Sequence, residues 1–251
     1  MTAFTIMILT KNEEHNIVRT LKPLGDLTDD LLVVDSGSAD HTISLAQQAG
    51  ARVIQTTWQG YANTKNWAHT QASHDWICSL DADEEIDEVL KKALKDLFSA
   101  DLSMDVAYMI KRKLVYCGKI LHHGSVSNEY RLRIYHKKIG HWNRQAVHED
   151  VEFTEPVQIK KLSGFLLHHS YQSTKEHEDT IDKYAKLFAE QKMKENKTVP
   201  FFKAYLSPLF GFIKNYIFRT GFLDGYAGWQ FALIEMKYTF RKYQYMRIHH
   251  K

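Results

Sequence analysis

Short apolar runs and helix-type segments alternate through the first hundred residues of the chain. The runs predict four strands, at residues 4–9, 31–34, 52–54 and 76–80. The segments between the strands predict helices over residues 17–24, 42–49 and 63–71, the first capped by Asn16 and the second by Asp40. Such alternation indicates an α/β protein with a parallel, doubly wound sheet, which binds ligands beyond the carboxyl ends of its strands.

The pattern changes after a predicted amphipathic helix over residues 87–98. Residues 108–116 and 131–136 alternate in polarity and predict strands of a mixed sheet. Residues 174–196 predict a long helix that ends before Pro200. The aromatic segment beyond Pro200 has near-helical spacing, which we expect Pro208 to interrupt.

Length and composition favour one well-filled α/β domain with a C-terminal extension. The chain has 251 residues, of which 44% are hydrophobic and 25% are charged, as in ordinary globular proteins. Its two cysteines, Cys78 and Cys117, lack the spacing of metal ligands, and Cys78 lies in a predicted buried strand. The cysteine usage therefore indicates a reducing, intracellular setting.

The chain lacks the pattern of a signal peptide or of a membrane-spanning helix. Its first apolar stretch covers only about seven residues, without a basic lead or a cleavage site, and we interpret it as a strand. Lys203 and Lys214 interrupt the most apolar long window, residues 201–218. That window therefore falls short of the roughly 20 apolar residues that a spanning helix needs.

Positive charge is concentrated at the C-terminal end. The net charge is +3, but residues 201–251 contain eight Lys and Arg residues against two acidic residues. This stretch is also rich in aromatic residues, a composition that suits an anionic membrane surface better than nucleic acid. Packing of the same aromatic residues against the rest of the chain is the alternative.

Polar clusters follow the first, second and fourth predicted strands, at residues 10–14, 35–40 and 81–85. Because these strands are expected to be parallel neighbours, we expect the clusters to converge in space. The chain contains neither a G-x-G-x-x-G turn nor a G-x-x-x-x-G-K-[ST] turn. This absence argues against a dinucleotide-dependent dehydrogenase and against a P-loop ATPase.

Asp81 and Asp83 flank one alanine at the end of the fourth strand, where like charges repel one another. Solvation, a bound cation or protonation of one acid could relieve the repulsion. A Mg²⁺ or Mn²⁺ ion suits such carboxylates and accepts phosphate oxygens as further ligands, whereas a solvated loop is the alternative. A phosphatase with an aspartyl nucleophile is disfavoured, because Glu85 stands where that chemistry usually has Thr or Val.

Five motifs in order carry a resemblance to a known family: ILTKNEEHNIVRTL, LLVVDSGSADHT, GYANTKNWA, WICSLDADEEI and RLRIYHKKIGHWNRQAVHEDV. With the tail motif GFLDGYAGWQFALIEMKY, the chain resembles family 2 glycosyltransferases of the GT-A fold. It is most similar to the bacterial lipopolysaccharide-core glucosyltransferase type. The resemblance implies a catalytic domain over residues 1–173, with a nucleotide-binding half up to residue 100 and an acceptor half from residue 101. Residues 174–251 would form a helical extension, for which the composition leaves open association with a membrane or packing on the catalytic domain.

The resemblance also implies a site for a nucleoside diphosphate sugar. The residues that would contact this donor are Asn12, Glu14, Asp35, Lys65, Asp81 and Arg131. Among them, Asp35 would contact the uracil, Lys65 would lie near the nucleotide, and Asp81 would hold the ribose or a metal-bound water. Asp83 would ligate the metal directly.

Inverting transfer needs a base that takes the acceptor proton. The segment VHEDV offers Glu149 and Asp150, and the resemblance favours Glu149. His148, and His168 or His169 in the segment LLHHSY, could add a contact to the metal or the diphosphate, because neutral imidazole is a common ligand.

For three residues of the later predicted strands, the sequence allows both a binding role and a structural role. Arg131 and Arg133 alternate on one strand, so they could share a face that binds the diphosphate or an anionic acceptor, or form a solvated face. Trp142 could stack on an acceptor sugar or belong to the core.

The resemblance predicts the reaction class and its partners. The donor would be a UDP-sugar, such as UDP-glucose or another UDP-hexose, and the acceptor a lipid-linked glycan such as a lipopolysaccharide inner core. Transfer would depend on Mg²⁺ or Mn²⁺ and would take place at the cytoplasmic face of the cell membrane, with the enzyme bound peripherally. A non-catalytic, nucleotide-binding scaffold on the membrane is the other hypothesis.

Overall fold

The structure, a computed structural model, describes residues 2–126, 129–143, 150–195, 197 and 199–248. In these residues the helices are α1 (Ile17–Leu21), α2 (Thr42–Gln48), α3 (Tyr61–Gln71), α4 (Glu88–Ser99), α5 (Thr174–Lys194), α6 (Phe201–Ile213) and α7 (Gly225–Ile248). The strands are β1 (Phe4–Thr10), β2 (Asp30–Asp35), β3 (Arg52–Gln55), β4 (Trp76–Asp81), β5 (Glu84–Ile86), β6 (Val106–Tyr116), β7 (Lys119–Ile120), β8 (Glu129–His136), β9 (Gly140–Trp142), β10 (Val151–Phe153) and β11 (Gln158–Tyr171).

Four parallel strands form the first half of the main sheet, in the order β3-β2-β1-β4. The register pairs Thr10 with Asp35 and Leu9 with Asp81, so the carboxyl ends of β2, β1 and β4 lie side by side. The loops that leave these three strands therefore start at one edge of the sheet. This arrangement confirms the predicted α/β class.

The apolar pattern of β1 explains why the parallel half is buried on both faces. Ile6 and Ile8 pack into a core with helices α1, α2 and α4, whereas Met7 between them packs into a second core with α3. Alternate residues of a strand point to opposite faces, so a continuous apolar run suits a sheet that is covered on both sides.

Antiparallel pairing continues the sheet beyond β4, in the order β8-β6-β11-β5. Strand β8 runs antiparallel to β4 and to β6, and β5 runs antiparallel to β11. Strands β9 and β10 form a separate antiparallel pair. The mixed sheet was predicted, but the long strand β11 and its short partner β5 were not.

Gly164 and Asp87 hold β11 against the start of α4. A Cβ atom on Gly164 would lie 2.3 Å from the backbone nitrogen of Leu90, and its φ of +91° also favours glycine. One carboxylate oxygen of Asp87 accepts hydrogen bonds from the backbone nitrogens of both Leu90 and Phe165. The cap of α4 thus sets the position of the neighbouring strand.

The chain divides into two compact units. Met1–Arg112 and Glu129–His168 form the first unit, and Lys113–Asn128 and His169–Lys251 form the second. The first unit contains the parallel sheet, and the second contains α5, α6 and α7. The predicted boundary at residue 173 stays a prediction.

Two predicted helix limits are corrected by the structure. Helix α1 ends at Leu21 rather than at residue 24, because Pro23 has no N–H to continue the backbone hydrogen bonds. Helix α6, in contrast, continues through Pro208, where the prediction had an interruption. Pro208 has no N–H, so the usual helical hydrogen bond to the carbonyl of Ala204 is not made. Both residues are buried in α6. Among the described residues, no helix is both long and apolar enough to span a membrane.

Candidate active site

The loops after β1 and β2 are tied together by side-chain hydrogen bonds. Oδ1 of Asn12 accepts from the backbone nitrogen of Ala39 at 2.8 Å, and Glu14 Oε2 accepts from that of His41 at 3.1 Å. The buried Asp35 carboxylate accepts from the backbone nitrogens of Gly37 and Ser38, at 2.9 and 3.0 Å. The predicted donor residues Asn12, Glu14 and Asp35 thus lie in one pair of loops.

Two cations neutralise Asp81 at the end of β4. Arg133 donates to Asp81 Oδ2 at 2.6 Å, and Nζ of Lys65 lies 3.3 Å from Oδ1. Both cations are almost fully buried, whereas the side chain of Asp81 remains 35% exposed. The charge of Asp81 is therefore largely offset by protein groups.

Asp81 belongs to a connected series of ion pairs with alternating sign. Arg133 also binds the buried Glu84, and Arg112 lies 3.6 Å from Glu84 and 2.7 Å from Glu129. Arg131 completes the series through its own ion pair with Glu129. In order, the charged series is Lys65, Asp81, Arg133, Glu84, Arg112, Glu129 and Arg131.

The two acids next to Arg133 have pKa values shifted in opposite directions. Burial raises the pKa of Glu84, the charge of Asp81 adds to this effect, and Arg133 only partly opposes it. Burial also disfavours charged Asp81, but Arg133 and Lys65 outweigh that effect and hold its pKa well below the usual range. Asp81 is therefore the more acidic member of the pair.

Asp83 and His168 form a separate pair beside the charged series. Nε2 of His168 lies 3.0 Å from Oδ2 of Asp83, and each side chain keeps about a fifth of its surface exposed. The pairing of β11 with β5 brings them together, because His168 is in register with Glu84, the residue after Asp83. Asp83 and His168, two of the three predicted metal residues, thus lie within contact distance, whereas the third, Asp81, is paired with Lys65 and Arg133.

The donor set suits a divalent cation whose remaining ligands come from a substrate. A carboxylate oxygen and an imidazole nitrogen are acceptable ligands for Mn²⁺, whereas Mg²⁺ prefers oxygen. The part of the chain that the structure describes contains no cluster of three or more His, Cys, Asp or Glu residues placed to hold a metal. Asp83 and His168 fit an ion that is completed by phosphate oxygens and water.

A cluster of buried aromatic rings packs against Lys65. Nζ of Lys65 lies 4.1 Å from the centre of the Trp142 ring, a cation–π contact. Nε1 of Trp142 donates to the hydroxyl of Tyr135 at 2.8 Å, and that hydroxyl lies 2.8 Å from Nε2 of His69. Trp142 is only 5% exposed, which favours the core interpretation over stacking on an acceptor.

Asp150 is exposed, immediately precedes β10 and forms two hydrogen bonds with Asn143. The backbone nitrogen of Asn143 donates to the carbonyl of Asp150 at 3.0 Å, and Asn143 Oδ1 accepts from the backbone nitrogen of Asp150 at 3.3 Å. The predicted base Glu149 and its neighbour His148 lie outside the described residues.

The sequence did not identify Glu84 and Arg112 as members of the charged series. Arg133 was considered only together with Arg131, which the structure places at the far end of the series, 46% exposed. A signal was available for Arg133, because Leu132 and Ile134 on either side of it are apolar and an arginine buried in such a strand needs an anion. The sequence does not say which of several acids is that anion.

A comparison with models of protein families identifies the family of this chain. The model of "Glycosyl transferase family 2" matches residues 5–165, which include all of the charged series and most of the first unit. The chain belongs to this glycosyltransferase family. With the family shown, the phosphatase hypothesis is set aside and the fold class is that of the GT-A glycosyltransferases.

Relatives of this glycosyltransferase match it along most of both chains. A protein of Rickettsia typhi, named as an uncharacterized glycosyltransferase, is 28% identical over 93% of this chain and 83% of its own. The lipopolysaccharide core biosynthesis glycosyltransferase LpsC of Rhizobium meliloti is 30% identical over 93% of this chain and 87% of its own.

Solved structures match the glycosyltransferase less closely. Glucosyl-3-phosphoglycerate synthase from Mycobacterium tuberculosis, crystallised with Mn²⁺, UDP and glucosyl-3-phosphoglycerate, is 23% identical. Its match covers 45% of this chain and 44% of that chain, with a TM-score of 0.36. S. aureus TarS is 16% identical over 73% of this chain and 39% of its own, with a TM-score of 0.44. The assignment to the family rests on the sequence matches.

Proposed function

We propose that this glycosyltransferase moves a hexose from a UDP-hexose, such as UDP-glucose, to a hydroxyl of a lipid-linked glycan, with inversion at the anomeric carbon. One observation carries the proposal. In a family 2 glycosyltransferase, Asp83 and His168 lie 3.0 Å apart beside the strand end that carries Asp81. A diphosphate could share a cation with such a pair.

The loops after β1 and β2 supply the proposed nucleotide contacts. Asn12 and Glu14 reach from one loop, and the turn held by Asp35 forms the other. The Asp35 carboxylate is fully buried and accepts three hydrogen bonds within its own loop, so its proposed contact with the uracil requires this turn to open. Lys65 and Arg133 provide positive charge behind the diphosphate.

Asp83 and His168 would hold Mg²⁺ or Mn²⁺. When bound, such an ion neutralises charge on the departing diphosphate. Asp81 is already paired with two cations, which favours a contact to the ribose or to a metal-bound water over direct ligation. We assign different roles to Asp81 and Asp83 because Asp81 is paired with two cations, whereas Asp83 is paired with His168.

A carboxylate from Glu149 or Asp150 is the proposed base. It removes the proton of the acceptor hydroxyl while that oxygen forms a bond to the anomeric carbon. The bond from the anomeric carbon to the diphosphate breaks at the same time, and UDP leaves with the bonding electrons. Inversion requires the base and UDP to lie on opposite faces of the sugar.

A lipid-linked glycan, such as a lipopolysaccharide inner core, is the proposed acceptor. The printed name of the Rhizobium meliloti relative, which matches over most of both chains, supports this class. Such an acceptor remains at a membrane, so we place the enzyme peripherally on the cytoplasmic face of the cell membrane. The basic, aromatic C-terminal segment supports that location.

Calorimetric titration with UDP, first in Mn²⁺ and then in EDTA, tests the donor site. We expect binding in Mn²⁺ that weakens strongly in EDTA, because the diphosphate shares its ligands with the ion. UDP-hexoses that bind would then be assayed for transfer to lipopolysaccharide-core acceptors. Absence of UDP binding in both buffers would overturn the proposed donor.

A further inference from the structure

Helix α6 exposes a continuous apolar surface. Six residues on one side of the helix are between 49% and 64% exposed: Phe201, Phe202, Tyr205, Leu206, Leu209 and Phe210. Their spacing repeats as adjacent pairs every four residues, which places them within one half of the helix circumference. Ala204 and Pro208 are buried on the other side. We call the six residues the aromatic face.

The apolar surface continues after α6. Ile217 and Phe218 are 52% and 73% exposed, and Phe222 and Leu223 are 46% and 60% exposed. Single exposed apolar residues are normal on a protein surface, whereas a contiguous set of this size marks an interaction site. The second unit therefore carries an exposed apolar surface of the kind that forms interaction sites.

All charged residues of the segment 201–223 are positive. Lys203, Lys214 and Arg219 are exposed, and residues 201–223 contain no Asp or Glu. The acid that follows, Asp224, is buried and accepts hydrogen bonds from the backbone nitrogens of His122 and His123. The segment 201–223 thus combines exposed apolar side chains with cations and contains no acidic residue.

This combination complements an anionic lipid surface. Aromatic side chains sit favourably among lipid headgroups, and flanking cations contact anionic phosphates at the same depth. A symmetric contact with a second copy would bring like positive charges together, since both copies present the same surface. The charge pattern therefore selects lipid over a second copy.

We propose that the aromatic face of α6 binds the surface of a bilayer that contains anionic lipids, with Lys203, Lys214 and Arg219 contacting lipid phosphates. The helix lies in the plane of the headgroups and does not cross the bilayer. The proposal rests on the proposed function in one respect: membrane binding would bring the enzyme to its lipid-linked acceptor.

Co-sedimentation of the full chain with vesicles tests this proposal. The vesicles are of phosphatidylcholine alone or of phosphatidylcholine mixed with phosphatidylglycerol. The test variant is F202Q/F210Q on the aromatic face, and the control is Y184Q/L187Q on α5. Tyr184 and Leu187 belong to the same unit and are 58% and 49% exposed. Circular dichroism and UDP titration of all proteins check folding and the donor site separately.

We expect the wild type and Y184Q/L187Q to bind the mixed vesicles and to release them as salt rises. F202Q/F210Q should bind at least about tenfold more weakly, and K214Q/R219Q should lose about fivefold per charge removed. Equal binding by F202Q/F210Q and the wild type, or no binding of the wild type, would overturn the proposal. So would a dimer in solution, seen by light scattering, that F202Q/F210Q abolishes. Because UDP binding is measured independently, failure here is distinct from failure of the donor site.

Discussion

Nε2 of His168 lies 3.0 Å from Oδ2 of Asp83, in a contact between strand β11 and the loop after β4. A second Asp–His pair offers a matched comparison. Nε2 of His74 lies 2.7 Å from Oδ1 of Asp29, and these residues precede β4 and β2 at the opposite end of the parallel strands. Only the first pair adjoins the predicted donor site.

D83N/H168Q should weaken Mn²⁺-dependent binding of UDP by at least about tenfold, because the ion loses both protein ligands. D29N/H74Q removes the same types of group at the other end of the sheet and should bind UDP as the wild type does. Calorimetry in Mn²⁺ and in EDTA measures both. If the two double variants behaved alike, Asp83 and His168 would not be the metal ligands.

Arg133→Met should lower the free energy of unfolding by about 3 kcal/mol, because Asp81 and Glu84 lose a buried partner. Arg133→Lys should recover part of this loss, since an ammonium group matches two carboxylates less well than a guanidinium does. Arg131→Met is the control and should cost less than about 1 kcal/mol, because its pair with Glu129 is near the surface. Urea unfolding compares the three variants. A loss for Arg133→Met no larger than that for Arg131→Met would contradict the structural role.

Glu149→Gln should reduce the transfer rate by at least about a hundredfold and leave UDP affinity unchanged, because the base acts only on the acceptor proton. Asp150→Asn provides the comparison. The Asp150 side chain accepts a hydrogen bond at 2.9 Å from the backbone nitrogen of the next residue, Val151. The side-chain oxygen of the substituted asparagine can accept the same bond. Steady-state kinetics with a UDP-hexose decides between the two residues, and the base is the one whose variant loses turnover.

Gly164→Ala should destabilise the protein by about 3 kcal/mol, since the new Cβ would clash with the backbone of Leu90 and the φ of +91° disfavours alanine. The same change should weaken Mn²⁺-dependent UDP binding, because β11 carries His168. Gly211→Ala in α6 meets no atom within 4 Å and should stabilise the helix by up to about 1 kcal/mol. Thermal unfolding and UDP titration test both, and an unchanged G164A protein would contradict the close approach.

Stability should decrease as pH falls from 6.5 towards 4, partly because of His69. Burial, together with the charges of Lys137, His141 and Lys65, lowers the pKa of His69 from 6.5 to about 4. In that window the unfolded chain binds a proton that the folded protein does not, so acid favours unfolding by at most about 3 kcal/mol. Urea unfolding at several pH values should show a shallower decrease for His69→Gln. Identical slopes for both proteins would assign the acid sensitivity to other groups.

The local pattern of the chain was sufficient for the parallel half of the fold. Apolar runs of three to six residues, separated by helix-type segments, predicted β1 to β4 and α2 to α4 close to their observed limits. The convergence of the three polar clusters followed from the parallel order alone, because parallel neighbours end at the same edge. Motif order along the chain was also sufficient for the family, which the sequence comparisons confirm.

Local pattern could not predict β11. Its 14 residues, from Gln158 to Tyr171, mix lysines, histidines and apolar residues without strict alternation. The strand forms because it pairs with β5 and because Gly164 admits the start of α4. These partners are distant in sequence, so no short window contains the interactions that stabilise the strand.

The sequence by itself determined the family, the α/β order and the acidic residues at the end of β4. Only the tertiary structure decided that Arg133, and not Arg131, neutralises Asp81, and that His168 reaches Asp83. Residue types and their spacing limit which charges are available. Which charges meet depends on strand register, and register is set by contacts between segments that lie far apart along the chain.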